Sequence, residues 1–341
     1  METRLSDIIV PRRFNRYTIQ RSVEVNALVR SGIMVRTPQM DALAEAGTKT
    51  IDMPFWNDLT GNSTVMDDAN PVTLDKLTTG TDIAAVNNRT KAWGHSDLVG
   101  LLTAEDPAAA TGDMVADFWD RDMTDILLST LAGVFGAASM SGNVYDISTE
   151  DAGAVEEENM FTATSFIDAV QLFGDNKSKL TALAMHSDVQ AHLEKLDLID
   201  FERDSNGNRI GSYRGFPIFV DDQIAPVVGS EDANIYTSYI FGRGAFALGF
   251  GVNAMNATPD GCIGNLGTEF VRAGLNHVSG MINRRRFILH PRGVKYTSAS
   301  QSLQAGPSNA ELATSSNWVR AYTNRNIRMI AFRHNIAAPA A

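Results

Sequence analysis

Six histidines, one cysteine and forty acidic side chains are the raw material for chemistry in this 341-residue sequence, and their spacing offers little of it. His95, His186, His192, His277, His290 and His334 are scattered, with no HExxH pattern and no His/Cys group at metal-ligand spacing. His186-Ser187-Asp188 contains the residue types of a nucleophilic triad, but three consecutive residues cannot form its line. Ser187 or Asp188 reads better as the cap of a following helix. Asp204-x-Asn206-x-Asn208 begins like a calcium loop. Arg209 stands where the sixth-position glycine is needed and Gly215 where the bidentate glutamate is needed, so a hairpin turning at Asn206-Gly207 is expected instead. Gly242-x-Gly244 lacks the third glycine of a dinucleotide fingerprint, Ala247 standing there, and reads as a bend in a strand. Arg284-Arg285-Arg286 could touch phosphate, or could pair as strand residues with acids of a neighbouring copy. No catalytic residue, cofactor or metal site is assigned.

Charge is more informative than chemistry. The net charge of −11 argues against a chain built as a nucleic-acid glove, yet the charges are sorted along it. Residues 1–36 carry seven Arg against three acids, and residues 105–158 carry thirteen acids against one Arg. Residues 271–295 hold six bases and no acid, and 318–341 four Arg and no acid. Such segregation favours electrostatic contact between copies or faces. With 44% hydrophobic residues a core is assured, and the single cysteine, Cys262, excludes an internal disulfide framework. No apolar run reaches signal-peptide or membrane-spanning length, so a soluble chain made without export, with no membrane contact, is expected.

The elements that would carry these charges centre on the stretch from Asp106 to Gly136. Asp106-Pro107 is a helix-opening pair, Gly136 a stop, and Asp113 to Phe135 would make a rod roughly 34 Å long. Met114, Val115, Phe118 and Trp119 form one arc and Asp113, Asp117, Asp120 and Arg121 the other, with Asp122 intruding on the apolar side. Past Ile126 the apolar residues spread all round, as in a rod packed from several directions. Residues 1–49 read as an arm whose short apolar clusters must lie on something else, its own body or a neighbour's. Residues 50–99 read as a projecting two-stranded hairpin with Pro54 limiting its first strand to an edge.

Farther on, Ser139 to Asn159 reads as an acidic surface connection, and Ser165-x-x-Asp168 as a capping box for a helix closed by Gly174. Leu180–Met185, 218–220, 236–241, 245–250 and 326–332 read as strands, and 270–296 alternates apolar and basic residues. A helix with Val189, Leu193 and Leu196 on one face follows the first of these, and 298–316 is a Ser/Ala/Asn-rich link. Helices and strands do not alternate regularly, which gives an α+β class.

Within 180–250 the order of elements, with Ile210-Gly-Ser-Tyr-Arg-Gly-Phe-Pro-Ile-Phe-Val-Asp-Asp222 and Tyr239-Ile-Phe-Gly-Arg-Gly-Ala-Phe-Ala-Leu248, resembles the axial domain of tailed-bacteriophage major capsid proteins of the Hong-Kong-97-type fold. Phe287-Ile-Leu-His-Pro-Arg-Gly-Val-Lys295 resembles the strand returning to the peripheral domain of the same group. The resemblance implies an N-arm over 1–49, an extended loop over 50–99, a peripheral domain with a spine helix over 100–178 and 265–341, and an axial domain over 179–264.

It further implies a structural protein of the virion, made in the host cytoplasm, that forms hexamers and pentamers of an icosahedral shell around double-stranded DNA bound without sequence specificity. Portal and decoration proteins are implied as possible partners, and scaffolding, not seen as a charged helical extension, would be a separate protein or absent. Arm, hairpin and rod would bury their apolar side chains only against sister copies. Arg12, Arg13, Phe55, Trp56, Trp93, Asp117, Asp120, Arg284, Arg285 and Arg286 are the expected inter-subunit contacts. Some relatives carry a Lys-to-Asn cross-link; Lys76 and Lys91 lie in the loop, but no acid or acceptor is identifiable and none is expected. The alternatives are an encapsulin-like compartment, which shares the fold, and an α+β enzyme, for which no clustered titratable pocket can be named.

Overall fold

Among the described residues two large sheets and a two-stranded one, Val294–Tyr296 with Trp318–Arg320, share the chain with one long helix. The computed structural model describes residues 32–45, 48–59, 62–63, 76–96, 107–203, 209–251, 267–273, 278–299, 301–302 and 305–336. Arg12 and Arg13, Asp106, the Asn206-Gly207 turn and Cys262 lie outside them.

The first sheet has six strands and is built on Val278–Pro291. That strand pairs antiparallel with Thr79–Ser96, from Val278↔Ser96 to Ile288↔Val86. It also pairs with Gly267–Ala273 and with Phe246–Phe250. Met34–Arg36 adds in parallel to Phe246–Phe250, and Thr50–Trp56 closes the other side as an edge strand, where the missing N–H of Pro54 is tolerated. Alternate residues face opposite ways. Ile51, Ala84, Val86 and Ile288 pack with Ala44 of the helix Pro38–Glu45, whereas Ala85, Phe287 and Leu289 face the core of the long helix.

The second sheet runs in the order 144–146, 329–334, 234–242, 180–185, 216–220, 209–213, 200–203, with Val227–Val228 added to Asn234–Gly242. Its three central strands are apolar on both faces because both are covered. Ala182, Ala184, Tyr239, Phe241, Met329 and Ala331 pack with Met123, Ile126, Leu127 and Leu131. Leu183, Met185, Ile240, Ile330 and Phe332 pack with Phe166 and Ala169 of Ala163–Gln171 and Val189 and Leu193 of Ser187–Lys195.

The long helix spans Pro107–Gly136 as its composition suggests, and from Ile126 onward Leu127, Thr130, Leu131, Val134 and Phe135 are all buried. Thr124 and Thr130 satisfy their hydroxyls on the carbonyls of Asp120 and Ile126, four residues back.

Several expectations are corrected. The rod and the end of the arm bury apolar side chains in their own chain: Ile33, Met34 and Ala44 are 0–2% exposed, and the rod's second half forms the main core. Met114, expected on the apolar arc, is 66% exposed. The cap of Ala163–Gln171 is Thr162, with Ser165 as its capping-box partner rather than the cap itself. Likewise His186, not Ser187 or Asp188, caps Ser187–Lys195, and Leu196 leaves the buried face at the helix end. The link 298–316 contains a short helix, Asn309–Ala313, capped by Ser308 and Glu311. In the sheets, 144–146 and 329–334 join Leu180–Met185, while Phe246–Phe250 pairs in the other sheet.

Candidate functional site

The charged stretches meet where the first half of the long helix crosses the two long strands. Val115 and Trp119 are 3% and 2% exposed, and Trp93 of Thr79–Ser96 packs beside them, edge-on to Phe118 at 5.2 Å. Phe118 is in turn edge-on to Trp119 at 5.4 Å. Two cations cover this ladder: Lys91 Nζ lies 5.8 Å from the Phe118 ring and the Arg285 guanidinium 4.9 Å from Trp119. Arg285 is 6% exposed. Burial pushes its pKa down to about 9, opposed by the negative charges of Asp122 and Asp120. Asp122 is held above the ordinary carboxyl range, chiefly by burial, against the pull of Arg89, Arg285 and Lys91. Arg89 Nη2 donates to Asn309 Oδ1 at 2.7 Å, which ties the strand to the short helix as well.

The expected contact residues therefore divide. Arg285, Asp120, Trp93 and Phe55 face partners in their own chain, Phe55 standing edge-on to Tyr322 at 4.6 Å. Arg286 Nη2 donates to the carbonyl of Thr48 at 3.3 Å, and Arg284 is half-buried. Asp117 and Trp56 are exposed, Trp56 at 68%, and Leu59 and Leu77, just past the paired residues of the hairpin, are 80% and 50% exposed. Residues missed from sequence are Asp122, Arg89 and a buried pair, Asp82 and His290. Only Asp122 left a signal, as a carboxylate on an apolar arc.

The other motifs resolve into structure. His186 Nδ1 accepts from the Asp188 N–H at 3.0 Å, and Asp188 Oδ2 accepts from the Tyr236 hydroxyl at 2.9 Å. The Ser187 hydroxyl serves Asp222, whose pKa it lowers, so no line from nucleophile to base exists there. Gly242 and Gly244 turn the chain from one sheet to the other, Gly244 at φ +69°. Asp200–Arg203 and Arg209–Tyr213 pair as the two arms of a hairpin. Among the described residues no group of three or more His, Cys, Asp or Glu could hold a metal, and no helix is long and apolar enough to cross a membrane.

What remains is a scaffold of two large sheets packed around one long helix. The capsid of Ralstonia phage GP4 superposes over 94% of this chain and 92% of that one, with a TM-score of 0.60 at 9% identity. The capsid asymmetric unit of cyanophage Pam1 does so over 87% of each, at 0.52 and 13% identity. In sequence, the major capsid protein of Bacillus phage SPP1 is 38% identical over 342 residues, covering 98% of this chain and 99% of its own. No family model matches the sequence. The chain belongs to the family of tailed-phage major capsid proteins, and is a structural component of a virion capsid. The compartment alternative is not favoured, since the matched proteins are phage capsids.

Proposed function

We propose that the chain builds its shell in the Hong-Kong-97 manner, with Pro107–Gly136 as spine helix, the 50–99 hairpin as extended loop and residues 1–49 as N-arm. The rest of the peripheral domain comes from 100–178 and 265–341, and the axial domain is the unit around 179–264, completed by the strands at 144–146 and 329–334. Subunits form hexamers and pentamers of an icosahedral shell that encloses double-stranded DNA without reading its sequence. Separate scaffolding, portal and decoration proteins complete the particle, and synthesis is in the host cytoplasm.

The observation that supports this reading is the edge strand Thr50–Trp56, which ends in the exposed Trp56 with Leu59 and Leu77 exposed just past the paired residues. Extended edges tolerate the small angular differences between five-fold and six-fold surroundings better than a flat patch does. Trp56 and Asp117, with Arg12 and Arg13 from the arm, are the proposed direct contacts between subunits. Phe55, Trp93, Asp120, Arg284, Arg285 and Arg286 support them from within or beside the subunit. Electron microscopy of the purified chain, with and without a scaffold, tests the reading. Closed particles are expected, and small monodisperse monomers under every condition would refute it.

A further inference from the structure

At the root of the hairpin a carboxylate and an imidazole are buried together. Asp82 and His290 are 3% and 1% exposed, and His290 Nε2 lies 3.1 Å from Asp82 Oδ2. The place matters. Thr79–Ser96 keeps its ladder with Val278–Pro291 only as far as Val86↔Ile288, and from Ala85 outward it pairs with Thr50–Trp56. Asp82 stands just beyond the end of that ladder, opposite Met53. Its Oδ2 accepts from the Gly293 N–H at 3.0 Å, in the turn that follows Val278–Pro291, and its Oδ1 from the Ile83 N–H at 3.1 Å.

A side chain thus continues the connection to the body where backbone pairing stops. Burial alone would raise the Asp82 pKa, yet the His290 imidazole and the two amides outweigh it and hold the carboxyl below its ordinary range. A second contact closes the junction from the other strand. Gly293, at φ +88°, accepts from the N–H groups of Ala321 and Tyr322 at 2.8 and 3.1 Å. The Tyr322 ring packs on Gly293 and edge-on to Phe55, and Phe55 lies over Gly80 so closely that a Cβ there would run into the ring.

We propose that Asp82 and His290, closed over by Phe55 and Tyr322, form a latch that fixes the hairpin on the subunit body and so sets the direction in which its tip is presented. The latch is intramolecular; it rests on the shell reading only for what the tip meets. A two-stranded ribbon has little stability of its own, so its orientation is decided where it joins the body. A carboxylate buried there without its partners would be costly, which keeps the junction in one arrangement.

Hydrogen exchange on the full chain, free and assembled, tests the latch through Asp82→Asn, His290→Gln and Phe55→Leu. In each variant the amides of 50–56 and 79–85 are expected to exchange about tenfold faster, while those of Leu180–Met185 and Met329–His334 keep their rates. Proteolysis within 57–78 should accelerate in parallel, and particles should form poorly or with irregular outlines.

Root amides within about twofold of native in the folded variants would overturn the proposal. So would uniform acceleration in both sheets, which would make the pair ordinary core. Phe55→Leu removes one contact without stranding a charge, so it decides the matter alone should the two polar variants not fold. A native chain that forms no particles would count against the shell reading and leave the exchange comparison on the free chain to judge the latch.

Discussion

Arg285 illustrates how a cation is kept charged out of water: its guanidinium rests on Trp119, and Asp122 and Asp120 oppose the desolvation that drives its pKa down. Removing one member of such a cluster strands the others, which costs more than removing the set. At Asp122, however, burial outweighs the pull of its cations, so its charge is a net cost in the fold, and Asp122→Asn is expected to leave stability within about 1 kcal/mol of native. The double variant with Arg285→Met, which removes both buried charges, should be at least as stable as Asp122→Asn alone, and urea unfolding of the four proteins in a cycle would measure it.

His334 makes a different use of burial. It is 0% exposed, its Nε2 is 2.9 Å from Ser238 Oγ, and its Nδ1 lies 3.1 Å from the carbonyl of Asn335. Burial pushes its pKa down to about 3 from 6.5, so between those values the unfolded chain binds a proton that the folded chain refuses. Stability from this residue is complete above pH 6.5 and falls as the pH drops through that window. Between pH 7 and 5 the loss should be about 2 kcal/mol, and His334→Gln should flatten that slope.

The sequence revealed neither environment. Asp122 was legible as an intruder on an apolar arc, but its cation partners come from two strands far along the chain. Asp82 and His290 carry no local signal at all, because sheet register alone brings them together.

At the scale of elements, what could be read was what depends on neighbours in sequence: the long helix, the apolar strands and the bend at Gly242-x-Gly244. Sheet membership could not be read. Asn234–Gly242 and Phe246–Phe250 are separated by three residues and look like one hairpin, yet they enter different sheets. The Asn309–Ala313 helix lies in a Ser/Ala/Asn-rich stretch with no apolar period, and its Ser308-x-x-Glu311 cap is its one local signal.

Packing of elements also reverses a local preference in the long helix. By propensity alone Gly133→Ala should stabilise a helix interior by about 1 kcal/mol. Here the added methyl would collide with the carbonyl oxygen of Leu312 and crowd Trp318 Nε1, which donates to that same oxygen at 2.7 Å. Overpacking against backbone costs about 1–3 kcal/mol, so the variant is expected to melt lower than the native chain rather than higher. A thermal scan with circular dichroism would check the sign.

For the molecule as a whole, two kinds of surface could drive association, and they respond differently to salt. Attraction between the basic N-terminal stretch of one copy and the acidic 105–158 stretch of another would weaken as the screening length contracts from about 8 Å at 0.15 M to about 3 Å at 1 M salt. Trp56, Leu59 and Leu77 act by burial, worth roughly 1.5–3 kcal/mol for each large apolar side chain fully covered, with little dependence on salt. All three are at least half exposed in the subunit, so replacing them together with serine should leave its own stability within about 1 kcal/mol. The same replacement at a shell contact should raise the concentration needed for assembly by more than about tenfold. Light scattering against protein concentration, at low and high salt, separates the two contributions. If these three side chains are the dominant contact, the triple variant fails to assemble at either salt, whereas the native chain merely assembles less readily as salt rises. Assembly of the triple variant at native concentrations would place the decisive contact elsewhere, on the charged faces, and the salt series would then show it directly.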